Sequence, residues 1–508
     1  MHHPRRAAPF DEFDFTDAQV AERFANEALV GNYIWTKELG WLAWDKKRWR
    51  EIPAPAMIGV ARRWIKDQYV LSAEMLAESR SERNKNLTNR ARVIHSDWYS
   101  YQSFAKIIAV IKLAQPDVIH SIDEFDTKPD LLNVRNGVID LRAGKLMPHD
   151  PELMLTRLAD DDYIPGATHK DWTAALEAVP KDLRAWFQLR CGQSITGYKS
   201  DDDAVIFLKG GGANGKNTVM EAYLKTLGDY FQVASPKVWE GSINAHSTEL
   251  ADLYGARMVW MDELPKDNRL PAVRLKQLTS GQFSARKIGK NNMLIEVAYT
   301  MFVSTNYRPI VTETDEGTWR RLFLLNFPFR FRRHGEDLIL KTDKRGDARL
   351  RQRLRDGRRQ HEAILAWLVE GAKEWYAIGC KFSKPDPKLI EQARAEWRKD
   401  EDQIWRFIEE KIGFDPNAHV RSDILYQEYR CWVTEQGQQP WASPNFNKQF
   451  ANHELVVPRN VIKKKTRRDP PNNELSEPGG VVNRSALPES YQAWFGIRFK
   501  EPELTIEY

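Results

Sequence analysis

The run Ile206-Phe207-Leu208-Lys209-Gly210-Gly211-Gly212-Ala213-Asn214-Gly215-Lys216-Asn217-Thr218 decides how this chain is read. A short apolar stretch leads into G-x-x-x-x-G-K, and Val219, Met220, Tyr223 and Leu224 continue at helical spacing. Strand, glycine-rich turn and helix start, in that order, make a phosphate-binding loop. Glycines let successive backbone N–H groups converge on phosphate oxygens. The helix N-terminus adds its partial positive charge, and Lys216 supplies a full one for the β and γ phosphates. Gly210, Gly211, Gly212, Ala213, Asn214, Gly215, Lys216, Asn217 and Thr218 are therefore the expected ATP contacts. The competing account, a glycine-rich surface turn with an incidental lysine, leaves the flanking strand and helix unexplained.

Outward from this loop, apolar strand patterns alternate with helical ones between Ala204 and Phe331, as a nucleotide-binding α/β layer requires. Arg257-Met258-Val259-Trp260-Met261-Asp262-Glu263 is an apolar strand that ends in two carboxylates. Asp262 suits holding Mg²⁺ through water, and Glu263 suits polarising an attacking water. Thr300-Met301-Phe302-Val303-Ser304-Thr305-Asn306 is a second apolar strand with a polar tip, where Asn306 can orient the lytic water. Trp319-Arg320-Arg321-Leu322-Phe323 carries paired arginines, whose planar forks suit a γ phosphate on a neighbouring subunit. Each of these pieces has an ordinary structural explanation when taken alone. Together they fall in mechanistic order within the 112 residues from Gly210 to Arg321.

The ordered set G-G-G-A-N-G-K-N-T, V-W-M-D-E, F-V-S-T-N and W-R-R-L resembles the superfamily-3 helicases of viruses and plasmids. It is most similar to the phage and plasmid primase-helicase family that includes the poxvirus primase-helicase type. Asn133-Val134-Arg135-Asn136-Gly137-Val138-Ile139-Asp140-Leu141 resembles that family's helicase-associated collar, so the likeness runs over roughly residues 130 to 435. The resemblance implies an AAA+-like core working as a hexameric ring on single-stranded and forked DNA, with 3′ to 5′ polarity. It makes Lys216 the phosphate lysine, Asp262 and Glu263 the metal and water carboxylates, and Asn306 the sensor. Arg321 is implied as the finger acting in trans, with Arg320 as second choice. Arg286, Lys287 and Lys290 occupy the place of a hairpin that tracks one DNA strand. One departure is Asn217, where most phosphate loops carry the Ser or Thr that contacts Mg²⁺. Its carbonyl oxygen or a water is expected to take that position.

The remainder of the chain reads less sharply. The 508 residues include 76 Lys plus Arg against 71 Asp plus Glu, a net charge of +5 that does not by itself call for a polyanionic partner. The three cysteines form neither a C-x-x-C pair nor a disulfide framework, and no apolar run is long enough for a membrane. A cytoplasmic protein of a bacterial host, serving replication of a phage or mobile element, is the expectation. Residues 1–130 read as a mostly helical region with a small aromatic hairpin, followed by the collar over 131–200 and the motor over 201–335. Residues 336–400 read as a basic helical extension whose arginines line a DNA channel or a solvated face. The acidic runs Asp160-Asp161-Asp162 and Asp201-Asp202-Asp203 read as solvated surface.

Residues 401–508 read as a winged-helix domain for origin DNA or a replication partner. Lys448 lies on its third helix, and Lys463, Lys464 and Lys465 lie in its basic wing. Two further readings stay open: an ATP-switched origin-binding protein without processive unwinding, and a chain with primase activity. The second is not expected, since no zinc-ligand cysteines or aspartate constellation precede residue 130.

Overall fold

The structure is a computed structural model and describes residues 15–82, 84–240, 248–264, 269–285, 293–311, 316–382, 385–468, 470, 473–480 and 487–500. Five strands pair in one all-parallel sheet, in the order Leu322–Asn326, Val205–Lys209, Thr300–Thr305, Met258–Met261, Phe231–Val233. The first strand in sequence lies inside the sheet, and the chain returns to flank it on both sides. Parallel strands need helical crossovers that cover both faces, which is why four of the five read as nearly unbroken apolar runs.

Side chains alternate across the pleat, and the alternation sorts them into two cores. Ile206, Leu208, Trp260, Phe302, Phe323 and Leu325 face Val219, Met220, Tyr223 and Trp172. Val205, Phe207, Val259, Met261, Met301 and Val303 face Leu275, Leu278, Trp319 and Trp397. The first core continues into the short sheet of Leu131–Val134, Gly137–Asp140 and Lys145–Met147, and into the helices Arg184–Ser194 and Arg358–Ala377. Segments before and after the parallel sheet thus share one apolar interior with it.

The N-terminal region is mostly helical, as expected, with Ala54–Ser81, Lys85–Tyr101 and Phe104–Leu113 packed on Asp17–Phe24 around Trp64, Trp98 and Phe24. Thr16 caps the first helix through Gln19 N at 3.3 Å. The aromatic hairpin forms as read, with Tyr33–Thr36 antiparallel to Gly40–Trp44, and gains a third strand, Trp49–Glu51.

Residues 403–499 hold a further core around Phe407, Tyr429, Phe446 and Trp494. Helices Gln403–Lys411, Ser422–Glu435 and Ser443–Ala451 stand on a sheet of Ile412–Arg421, Ile462–Arg467, Glu474–Leu475 and Ser490–Phe499. Ile412–Arg421 escaped the sequence reading, because Asp415, Pro416 and Asn417 interrupt it where the pairing with Ser490–Phe499 shifts register.

Two expectations change. The acidic runs are solvated only in part: Asp160 and Asp201 are exposed, but Asp161 is 4% exposed against His361, Asp203 is 8% exposed against Arg321, and Asp162 makes a two-pronged pair with Arg135. Burial is tolerated because each carboxylate has a cationic donor from a distant part of the chain. Three of the seven arginines from Arg345 to Arg359 are also paired. Arg351 pairs with Glu221, Arg353 with Asp171 and Asp347, and Arg355 with Asp356. Arg351 and Arg353 fasten the helix Leu350–Asp356 to its neighbours, while Arg345, Arg349, Arg358 and Arg359 are exposed.

Candidate functional site

The loop after Val205–Lys209 folds tightly over the sheet's carboxyl edge. A Cβ on Gly210 would lie 2.2 Å from Asn214 Nδ2 and 2.6 Å from the Phe327 carbonyl, so only glycine fits. Gly215, at φ 86°, turns the chain into the helix Lys216–Leu227, and a Cβ there would lie 2.7 Å from that of Ala178. Lys216 is 5% exposed, and its ammonium donates to the Gly210 carbonyl, to Thr305 O at 3.2 Å and to Asn306 Oδ1 at 3.3 Å. All three acceptors are neutral. Burial therefore dominates and lowers the Lys216 pKa to about 8, against the pull of Glu263 and Asp262. A cation held in this way is set to receive an anion.

Register brings the other groups beside it. Thr305 pairs with Lys209 and Val303 with Met261, so three adjacent strands end side by side. Asn306 Nδ2 donates to Glu263 Oε1 at 3.3 Å while its Oδ1 faces Lys216, so the amide links the lysine to the carboxylate. Asn217 Nδ2 donates to Asp262 Oδ1 at 2.8 Å. Burial raises the Asp262 pKa; the Asn217 bond opposes this, and the charges of Glu221 and Glu263 add to it. Gly211 to Thr218, Asp262, Glu263, Ser304, Thr305, Asn306 and Arg351 enclose a cleft of about 310 Å³. In an open parallel sheet, the carboxyl edge where strand order reverses is the expected ligand position.

Mg²⁺ fits this donor set. Asp262 and Asn217 meet at the start of a helix, and a hard cation held by one carboxylate, waters and ligand phosphates needs no larger protein cage. Among the described residues no cluster of three or more His, Cys, Asp or Glu could hold a metal alone.

Other expected residues lie apart from this cleft. Arg321 is 6% exposed and donates to Asp203 Oδ2 at 2.8 Å and to the Gly317 carbonyl, which ties it into the interior of its own chain. That placement corrects its ranking as the group offered to a neighbour. Arg320 beside it is exposed, on a separate cavity of about 490 Å³ with Trp319, Glu391 and Arg394. Arg286, Lys287 and Lys290 lie outside the described residues.

Lys448 is exposed on Ser443–Ala451. Strand alternation divides the other three lysines. Lys463 reaches Asn447 Oδ1 at 2.8 Å on the side of that helix, and Lys465 shares its face, whereas Lys464 stacks 4.2 Å from the Phe495 ring on the other side. Arg351 is the cleft residue that sequence reasoning missed. It sits 135 positions beyond Lys216 in a run of arginines that gives no local signal.

Three family profiles match the chain: D5 N terminal like over residues 21–179, a family of unknown function (DUF5906) over 208–321, and Poxvirus D5 protein-like over 399–480. The chain carries D5-type primase-helicase domains. Viral proteins resemble it at low identity. "Putative primase C962R" of African swine fever virus is 27% identical over 59% of this chain and 32% of its own length. "Putative helicase L207/L206" of Acanthamoeba polyphaga mimivirus is 26% identical over 62% and 34%. "Putative helicase 022R" of Frog virus 3 is 28% identical over 61% and 39%. The chain thus spans about a third of the length of these relatives. A solved structure, the apo NrS-1 C terminal region, aligns over 60% of this chain and 75% of that one at 12% identity and a TM-score of 0.35. No described helix is long and apolar enough to cross a membrane.

Proposed function

We propose that this chain is an ATP-driven DNA helicase motor of the superfamily-3, AAA+-like type, built on a P-loop at Gly210 to Thr218. One observation carries the reading: Lys216, at the head of the helix after the glycine-rich loop, meets Asp262, Glu263 and Asn306, from the ends of two neighbouring strands, on a single cleft. Lys216 and the loop amides bind the phosphates. Glu263, held by Asn306, orients and deprotonates the attacking water, and Asn306 registers whether a γ phosphate lies against Lys216. Mg²⁺, when bound through Asp262 and Asn217, neutralises charge on the phosphates.

Turnover is completed by Arg320 of an adjoining subunit in a ring, hexameric if the family pattern holds and moving 3′ to 5′. The C-terminal domain acts as a winged helix on duplex DNA, where Ser443–Ala451 and the lysines on its side, Lys448, Lys463 and Lys465, face the phosphates. Hairpin residues Arg286, Lys287 and Lys290 remain the candidates for the single strand. The work proposed is DNA replication of a virus or mobile element, with the domain limits proposed from the sequence.

Strand displacement on a forked duplex tests this directly. Wild type is expected to unwind with ATP and Lys216→Ala is not; equal displacement by both would sink the reading. Primer synthesis is not proposed for this chain, and labelled nucleotide incorporation on a single-stranded template would reverse that.

A further inference from the structure

The N-terminal helices Ala54–Ser81 and Lys85–Tyr101 bury Trp64 and Trp98 between them and carry a second group of rings at their outer seam. His95 lies flat on Tyr69, with centroids 4.4 Å apart and planes 21° from parallel, and Tyr99 stands 6.1 Å from Tyr69. Ser72 Oγ donates to the Tyr69 carbonyl at 2.6 Å and lies 2.9 Å from His95 Nδ1, which fixes the histidine ring. Tyr69 and His95 are half-buried, whereas Tyr99 is 68% exposed. Three rings from two helices thus form a rigid step that ends in an open aromatic face.

Helical spacing surrounds this face with cations. Arg62 precedes Tyr69, and Arg92 precedes Tyr99, by seven residues, which is two turns, so each pair shares a row. Arg80, eleven residues after Tyr69, returns to the same row, and Lys66 lies one turn before Tyr69. All four cations are exposed, and none has an ion-pair partner among the described residues. The carboxylates of the two helices, Asp67, Glu74, Glu78 and Asp97, fall about 140° or more around the axis from Tyr69 or Tyr99. Like charges gathered without counter-ions repel one another, and an anionic partner relieves that repulsion. From Arg62 to Arg80 the stripe runs about 27 Å at the helical rise.

We propose that this face binds single-stranded nucleic acid, with a base stacked on Tyr99 and backbone phosphates on Arg62, Lys66, Arg80 and Arg92. A duplex keeps its bases stacked on each other and offers none to Tyr99, and an acidic peptide has no flat surface for the ring. An unpaired strand uses both the ring and the cations. The site lies outside the phosphate cleft and the C-terminal lysines, and it does not rest on the triphosphate reading, because its binding is measured without ATP.

Ultraviolet cross-linking of the full chain to a single-stranded oligothymidylate carrying 5-iodouracil tests this, with the attached peptide read by mass spectrometry. The expected adduct is on Tyr99 or Tyr69, and Lys216→Ala is expected to give it as wild type does, so failure of the phosphate site leaves this result standing. By fluorescence anisotropy, Tyr99→Ala is expected to weaken the oligonucleotide about fivefold or more, and Tyr99→Phe to keep wild-type affinity. Lys66→Gln combined with Arg92→Gln is expected to lower the salt slope by about 1.4. Tyr99→Ala is expected to melt with wild type; if it does not, the charge variant decides. Adducts confined to other segments, or single-strand affinity unchanged in Tyr99→Ala, would overturn the proposal. An equal loss of blunt-duplex affinity in Tyr99→Ala would overturn it in favour of a duplex-binding face.

Discussion

Among the described residues, the hydrogen-bond partners of the Lys216 ammonium are all neutral, and the consequences can be measured. Its pKa, lowered to about 8 by burial, rises again when phosphate oxygens surround the ammonium. Affinity for ATP is therefore full below pH 8 and falls as pH climbs above it, by as much as about tenfold per unit at first. Titration at pH 7 and pH 9 checks this; equal affinities would show that the loop amides, not the lysine charge, do the binding. Asn306 touches both Lys216 and Glu263, so Asn306→Ala should cost about 10²-fold in steady-state ATP turnover with little change in ATP affinity. The adjacent arginines should separate cleanly. Arg320→Ala keeps stability but loses turnover, and mixing it with Lys216→Ala restores part of the activity if the group acts on a neighbour. Arg321→Ala instead leaves buried Asp203 with Lys199 as its remaining cationic partner and destabilises by about 2 kcal/mol, read in urea melts.

Elements far apart in sequence are joined by buried charge. His361, on Arg358–Ala377, has Asp161 Oδ2 at 2.7 Å from one ring nitrogen and the Leu354 carbonyl at 2.7 Å from the other. Both partners accept, so both nitrogens must donate, and the ring is held as imidazolium. Burial pushes its pKa down, but the Asp161 bond and the carbonyls of Leu354 and Arg355 outweigh it, and the net shift is upward from the ordinary 6.5. A raised folded-state pKa gives stability that is complete below 6.5 and lost as pH rises through the shifted value. His361→Ala should cost about 3 kcal/mol near pH 6 and less at pH 8, measured by denaturant titration at each pH. In the C-terminal sheet, strand alternation predicts that Lys463→Gln and Lys465→Gln each lower the salt slope of duplex binding by about 1, while Lys464→Gln changes it little.

Across the whole molecule, legibility followed the range of the physics. The strand, loop and helix at Ile206 to Thr218 were readable because glycine spacing and apolar runs are local, and so was the aromatic hairpin. The polar strand tips at Asp262, Glu263 and Asn306 were readable as types. Their meeting was not: it depends on Thr300–Thr305 inserting between Val205–Lys209 and Met258–Met261, a pairing no local pattern encodes. The partners of the acidic runs were hidden for the same reason. Asp161 and Asp203 look solvated until the fold brings His361 and Arg321 against them from 200 and 118 residues away. Arg351 joined the cleft only through the return of the chain after the sheet. The sequence alone thus determined the elements and the chemical kinds of group at their ends, because backbone preference and hydrophobic period act over a few residues. Only the tertiary structure decided which groups meet and which arginine is buried, because those outcomes depend on desolvation and packing between segments that are distant along the chain.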